Sequence, residues 1–394
     1  MKIINHLTLI LIIFQIQLSS AQETVAGSEN DFMIVRHYKI KGTNREIGRE
    51  IAKTAKNMQI EIKPISNPTR NKLQYKYIKQ NYPIHYERMK GISEEFGIKM
   101  DDFTRDLSSI PYMPVRTSCS VVFYPGNHTE NKHAILSRNT DMPVDNSSIL
   151  NKKDLHICSR PVIFEIYPDT GYSSIYICSI DLFGGVIDGI NSEGLCVACM
   201  GDGEYNSCFQ PEPSSEVGIN EFLILRYLLD NCKNVQEAKE SLLSLKQYYS
   251  FAPMHYMIAD NKGNSFVFEF SRHRNQSHII EEKGIQCVTN HLLSEQDTTK
   301  LSKESRERLS IIKSLTQVKD AYSINEIKDI NSKVSPWMPD YRSQWPSSRT
   351  LWHSIYDLDS KILTVKFYLG ETKDPVDENK IITKYSDYIT FKFE

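Results

Sequence analysis

Cys119, Arg138 and Asp141 have the types and spacing for nucleophilic chemistry. They lie in "PVRTSCSVVFYPGNHTENKHAILSRNTDMP", residues 114–143. "SVVF" and "AILS" read as two strands around a polar turn. A symmetric hairpin of that size returns "RNTD" to the cysteine at its head. A thiol beside a guanidinium gives up its proton more readily and becomes the reactive thiolate. The plain alternatives are a cysteine that merely fills space and a surface Arg–Asp pair worth little energy. Far downstream, "CVTNHLL" ends a strand on Asn290 and His291. An asparagine amide at a strand end can donate to an oxyanion.

Two kinds of element must position these residues. Residues 22–118 read as mainly helical. "MIVRHYKIK" is a strand, "TNREIGREIAKTAKNM" a helix with Thr43 and Glu46 set as a capping box, and 70–97 two helices broken at Pro83. "MDDFTRDL" starts a short further helix. From Cys119 the pattern changes to β-branched, aromatic and cysteine runs: "CSVVFY", "HAILSRNT", "PVIFEIYP", "SSIYICSID" and "GLCVACMG". "DGINSEGL" reads as a Gly-Asn turn. Residues 219–246 are helical, with Asn234 as a second N-cap. "MHYMIAD", "SFVFEFS" and "GIQCVTN" are strands, 303–315 a helix, and "TLWHSIYDL" with "KILTVKFYLG" a closing hairpin. This order predicts one α+β layered domain with two sheets over 22–394.

Composition narrows the function. Residues 1–21 carry a charged start, an apolar core at 7–18 and small residues at Ser19 and Ala21, the pattern of a signal peptide cut after Ala21. The apolar run falls short of the ~20 residues that span a bilayer. The expected location is therefore secreted, periplasmic or lysosomal, with no stable membrane span. A net charge of −2 argues against nucleic acid as a partner. Cys196 and Cys199 resemble a metal pair, but three-residue spacing on a strand puts their sulfurs on opposite faces. No second pair follows, so no metal and no cofactor is expected. Sequons stand at Asn127, Asn146 and Asn275. Loops 202–218, with Tyr205 and Phe209, and 336–349 are candidate pocket walls or plain surface.

In order and spacing the chain resembles the linear-amide C–N hydrolases of the N-terminal nucleophile superfamily. These include choloylglycine hydrolases, acid ceramidases and acyl-coenzyme-A:6-aminopenicillanate acyltransferases. "IKGTNREIGREIA" resembles their early helix start, "ISEEFGIKMDDF" a following glycine motif, "CSVV" the nucleophile strand and "RNTD" the "RN-x-D" after it. "GINSEGL" matches "G-x-N-x-x-G-L", "TNH" the later Asn, and "SRERLSII" the pattern "S-x-x-R-x-x-x-L". Relatives often carry Gly before and Thr after the nucleophile, where this chain has Ser118 and Ser120. Where bile-salt hydrolases carry a polar side chain, Gly201 stands, so any contribution there must come from its backbone N–H.

The resemblance implies a four-layer αββα sandwich of two packed antiparallel sheets. It implies self-cleavage at Ser118–Cys119, giving a 22–118 α-chain and a 119–394 β-chain that associate without a covalent link. Residues 22–118 hold no cysteine and carry 17 basic against 12 acidic side chains. It further implies Cys119 as nucleophile, with its new α-amine as base, Asp141 holding that amine, Arg138 beside the sulfur, Asn290 donating to the oxyanion, and Arg308 bracing the site (Arg306 is the alternative). The substrate is then a small N-acyl amide, and assembly into a homo-oligomer is left open. Three other readings stand beside the hydrolase. One is an acyltransferase of the same family, which export from acyl-coenzyme-A pools disfavours. The second is a papain-like protease using Cys119, His291 and a later Asn, and the third an inactive secreted binding protein with this fold.

Overall fold

The computed structural model describes residues 20–110, 118–144, 158–201, 217–248, 253–271, 276–297, 299, 301–336, 348–377 and 381–394. The expected signal segment through residue 19, Asn146, Asn275, Cys208, and most of the loops 202–218 and 336–349 lie outside these. The chain opens with β1 (Ser20–Ala26), which spans the expected cleavage point after Ala21, and β2 (Val35–Gly42). α1 (Asn44–Asn57), α2 (Pro68–Asn81) and α3 (Pro83–Phe96) follow. Thr43 and Glu46 close the expected capping box on α1. Proline at the first position of α2 and of α3 fits there because that N–H has no intrahelical partner.

α1 and α3 cross backbone to backbone. A Cβ on Gly48 would stand 2.0 Å from Arg88 O, and one on Gly91 would stand 1.9 Å from Arg45 O. Gly48 is the second glycine of "GTNREIG", so that piece of the family resemblance has a packing cause.

The second half supplies most of two sheets. β3 (Ser120–Tyr124), β4 (Ile135–Pro143), β5 (Val162–Pro168), β6 (Ser174–Cys178), β7 (Asp188–Asn191) and β8 (Cys196–Gly201) come first. Then come α4 (Leu223–Asn231), α5 (Val235–Ser244), β9 (Met254–Ala259), β10 (Ser265–Ser271), β11 (Gln276–Ile280) and β12 (Gln286–Val288). The chain closes with α6 (Lys303–Leu315), α7 (Ile324–Ser332), β13 (Ser348–Asp357), β14 (Ile362–Lys373), β15 (Ile381–Tyr385) and β16 (Ile389–Lys392).

Among the described residues one sheet runs β1-β2-β5-β6-β7-β8-β9-β10-β11. The other runs β12-β3-β4-β13-β14-β15, with β16 on β14. α1 lies on β2 and β5, α4 on β7 and β8, and α5 on β9, while α6 lies on β12 and α7 on β4. The result is the expected αββα order of layers.

Alternation along β3 divides the interior. Val121 and Phe123 join the core between the sheets, with Leu136, Phe164, Val197 and Trp352. Val122 and Tyr124 join a second core under the helices, with Leu309, Ile312, Ile327 and Ile330. This two-residue period also aims the residues of the site.

Some expectations are corrected. The sheets are not wholly antiparallel: β2 pairs with β5 in parallel from Arg36–Val162 to Gly42–Pro168. The long excursion through three helices and the β3–β4 hairpin permits that crossover. "MDDFTRDL" forms turns, because the Asp102 carboxylate takes the Thr104 N–H at 3.1 Å in competition with a helix. "DGIN" is strand β7, and the turn is Ser192–Gly194, with Gly194 at φ +87°. Asn191 Oδ1 accepts from Glu193 N and Leu195 N, and its Nδ2 donates to Leu229 O and Cys232 O of the α4 end. That asparagine builds a turn and ties it to α4. β1, β11, α7, β15 and β16 are additional elements, and α7 carries a legible capping box, Ser323 with Glu326.

Candidate active site

β3 and β4 pair antiparallel from Ser120–Asn139 to Tyr124–Ile135. Ser118 N donates to Asp141 O at 3.0 Å, which closes the hairpin two residues beyond that pairing. Cys119 therefore lies at the strand head beside "RNTD", and it is buried. Arg138 and Asp141 are three apart on β4, so they leave opposite faces of the strand. Cys119 sits where both can reach.

Arg138 turns into the space between the sheets and is buried. Its Nη2 lies 3.7 Å from Cys119 Sγ and donates to Cys199 O at 2.6 Å. Its Nη1 donates to Thr140 Oγ1 and pairs with Asp188 Oδ2 of β7. Asp141 meets Thr350 Oγ1, which donates to its Oδ1 at 2.5 Å. Thr350 stands at a register shift in β13, where Thr350 and Trp352 face Asp141 and Thr140 and Leu351 is the extra residue. Asp141 Oδ2 is buried with no partner among the described residues.

From the helical side comes Arg308 of α6. Its Nη1 donates to Cys119 O at 2.8 Å and its Nη2 to Asn290 Oδ1 at 3.0 Å. Asn290 Nδ2 donates to Gly201 O at 2.8 Å. Gly201 thus meets Asn290 through its carbonyl. Asn290 N donates to Ser305 Oγ of α6 at 2.8 Å, which fixes the turn after β12. The alternative Arg306 has a buried Nε without a partner among the described residues. His291, needed by the papain-like reading, binds Thr289 and Ser305 instead. β3, not a helix, follows Cys119.

The electrostatics of the uncut chain differ from the sequence expectation in one respect. Burial pushes the Cys119 thiol up, and although Arg138 and Arg308 pull it down, desolvation wins. The expected favouring of thiolate by Arg138 is outweighed. The seven described cysteines are all buried and free of disulfides. Burial also pushes the Asp141 carboxyl up to about 7, against the pull of Arg308, Thr350 and Arg138.

This has a consequence for stability. The ordinary Asp value is about 3.9, so the native state keeps a proton that the unfolded chain releases between about pH 4 and 7. Stability contributed by this residue therefore falls as pH rises across that window. In the uncut Cys119→Ala background, Asp141→Asn is expected to melt progressively higher than its Asp141 parent from pH 5 to pH 8 in paired thermal scans. A gap in Tm that does not change with pH contradicts the assignment.

All five residues named from the sequence are thus brought together. Asp188 and Thr350 were not anticipated, and Ser305, which heads the quoted "SRERLSII", had no role assigned. Asp188 lies inside the quoted "DGINSEGL", but its role depends on a partner in the other sheet. Among the described residues no group of His, Cys, Asp and Glu could hold a metal ion, and no helix is long and apolar enough to cross a membrane.

No curated protein sequence matches the chain. Among solved structures, a mutant conjugated bile acid hydrolase from Clostridium perfringens is 17% identical, with a TM-score of 0.45 over 70% of this chain and 97% of that one. Penicillin V acylase from Agrobacterium tumefaciens is 16% identical, with a TM-score of 0.45 over 63% and 83%. A family model described as acyl-coenzyme A:6-aminopenicillanic acid acyl-transferase matches residues 128–374. That span exceeds half the chain and takes in Arg138, Asp141, Asn290 and Arg308, beginning past Cys119. The chain belongs to the acyl-coenzyme A:6-aminopenicillanic acid acyl-transferase family, within the N-terminal nucleophile superfamily.

Proposed function

We propose that this protein is a secreted hydrolase of linear amides, with Cys119 as a nucleophile freed by cleavage of the Ser118–Cys119 bond. The observation that carries the reading is convergence. Two arginines, a carboxylate and an amide from one strand, a turn and a helix meet at one buried cysteine. A cysteine that only filled space would need none of them.

Processing starts when Cys119 Sγ attacks the Ser118 carbonyl carbon. The C–N bond breaks as a C–S bond forms, and the Cys119 nitrogen takes up a proton. Water then splits the thioester, leaving a Ser118 carboxylate and a Cys119 with free thiol and free amine. That amine has an ordinary value near 8, so it accepts the thiol proton near neutral pH. The thiol attacks the substrate carbonyl, the amine passes its proton to the departing amine, and water releases the acid. In this reading Asp141 Oδ2, which has no partner among the described residues, accepts from the new α-amine. Asn290 Nδ2, which donates to Gly201 O, supplies the oxyanion donor in this reading. Acyl transfer differs only in the last step, where an amine replaces water, and the family description keeps that reading open.

Substrate turnover tests the proposal directly. A panel of N-acyl amino acids, bile-salt conjugates and ceramides is incubated with wild-type protein, and amine release is followed. Release from at least one class is expected. Processed protein that is inert on every class favours the inactive binding protein.

The two pieces are expected to stay together. The parallel β2–β5 pairing joins them in one sheet. Arg88 of α3 and Asp230 of α4 form a buried ion pair, with Tyr82 Oη also donating to Asp230. Gln74 exchanges two hydrogen bonds with Gly218, at 2.8 and 3.0 Å. Breaking a buried pair on one side costs about 3–5 kcal/mol. After processing, both pieces are expected in one peak on gel filtration, and Arg88→Met is expected to lower Tm sharply. Separation of wild-type pieces without denaturant contradicts this.

A further inference from the structure

Asp188 is where the search of the molecule leads. Arg138 directs its four terminal hydrogens at four acceptors: Thr140 Oγ1, Asp188 Oδ2, Cys199 O and Cys119 Sγ. Asp188 is the charged member of that set. It is buried on β7, in the sheet facing Arg138. Three side chains of β13 hold its carboxylate from Arg138's own sheet: Tyr356 Oη at 2.8 Å on Oδ1, and Trp352 Nε1 at 3.3 Å and Ser354 Oγ at 3.5 Å on Oδ2. Such a carboxylate cannot follow Arg138 if it moves. It fixes where the guanidinium points and how much of its charge reaches the sulfur.

We propose that Asp188 is a positioning residue for the nucleophile, fixing the Arg138 guanidinium against Cys119 Sγ and offsetting its positive charge there. The proposal rests on Cys119 being the nucleophile of the hydrolase above. Asp188 does not touch the sulfur and acts through Arg138. Burial works against the Arg138 charge, and Asp188 restores it. The groups that face Cys119 are Arg138 and Asp141 from β4, Arg308 from α6, Cys199 from β8, and Cys158. Of these, Arg138 is the one whose charge Asp188 directly pairs. A neutral residue of the same shape at 188 therefore exposes the thiol to a fuller positive charge. A full opposite charge within ~4–6 Å lowers a pKa by about 1–3 units.

The test reads the thiol itself and needs no substrate. Wild type and Asp188→Asn are labelled with iodoacetamide from pH 5 to pH 10, and modification of each cysteine is quantified by peptide mass spectrometry. The labelling midpoint of Cys119 is expected to fall by about one pH unit, giving roughly 10-fold faster labelling at pH 7. The buried Cys158, Cys178, Cys196, Cys232 and Cys287 serve as internal controls and should keep their rates. A role confined to holding the fold raises labelling at all of them together, and that outcome overturns the proposal, as does an unmoved Cys119 midpoint.

If Asp188→Asn does not fold, the charge-balanced Arg138→Gln/Asp188→Asn protein takes its place. It is expected to fold and to show a Cys119 midpoint above wild type. A midpoint equal to wild type in that protein overturns the proposal. Absence of amide turnover bears on the proposed function alone, because the labelling profile is read independently of it.

Discussion

Cys119→Ala is expected to give a protein that stays in one piece beyond Ser118, keeps its fold and turns over no amide. Cys119 contributes one small buried side chain to a core that includes Trp352, Phe123 and Leu136. Losing its sulfur costs on the order of 1 kcal/mol of stability. The chemistry loses its covalent route altogether. In enzymes whose nucleophile and base act as a unit, removing the nucleophile lowers kcat by at least ~10⁴-fold. Here nucleophile and base belong to one residue, and the base is an amine that appears only after the sulfur has cut the chain. One substitution therefore removes processing, nucleophile and base together. Intact mass, a thermal melt and amine release are sufficient to check it. Turnover that survives in Cys119→Ala moves the nucleophile elsewhere.

Asn290→Ala carries the second large effect. Asn290 is anchored by its own backbone, through the bond from its N to Ser305 Oγ. The turn should therefore survive loss of the side chain. What disappears is the Nδ2 group beside Gly201 O and the Oδ1 acceptor of Arg308. A single oxyanion donor is worth about 100- to 1000-fold in kcat, or about 2.7–4 kcal/mol. The donor acts on charge that develops only in the transition state, so KM should change little. A rise in KM with kcat intact makes Asn290 a substrate-binding residue instead.

Arg308 connects these two results. It joins the Cys119 carbonyl to the Asn290 side chain, so nucleophile and oxyanion donor share one brace. Removing Asn290 also frees one arm of that brace. Part of the loss in Asn290→Ala then comes from Arg308, and the two contributions are not additive.

The hairpin logic was readable because strand period and turn position are local properties. Cys119, Arg138 and Asp141 follow from counting along two strands. Asn290 was legible as an amide at a strand end, but its return to Cys119, and Arg308 altogether, came from resemblance, since nothing local says that a turn after β12 and a helix after it reach that cysteine. Asp188 could not be read at all. Its partner lies across the interior in another sheet, and a carboxylate in "DGINSEGL" looks like any turn residue. Asn191 in the same stretch shows the reverse, a motif position whose side chain holds a turn and α4 in place. The parallel β2–β5 pair was hidden because the strand pattern of "VIFEIYP" does not name its neighbours. β15 and β16 were missed because the closing hairpin looked complete without them. Arg138 pulls the Cys119 thiol down as expected, and what the sequence did not show is the burial that opposes it in the uncut chain. One favourable guanidinium does not outweigh full burial of the sulfur.

The central claim is that the Ser118–Cys119 bond is cut by Cys119 itself. The most direct test is N-terminal determination on purified wild-type protein, with Cys119→Ala prepared in parallel. The account predicts a new N-terminus at Cys119 in wild type and none there in Cys119→Ala. A wild-type chain still continuous through Ser118–Cys119 while it turns over an amide would contradict it.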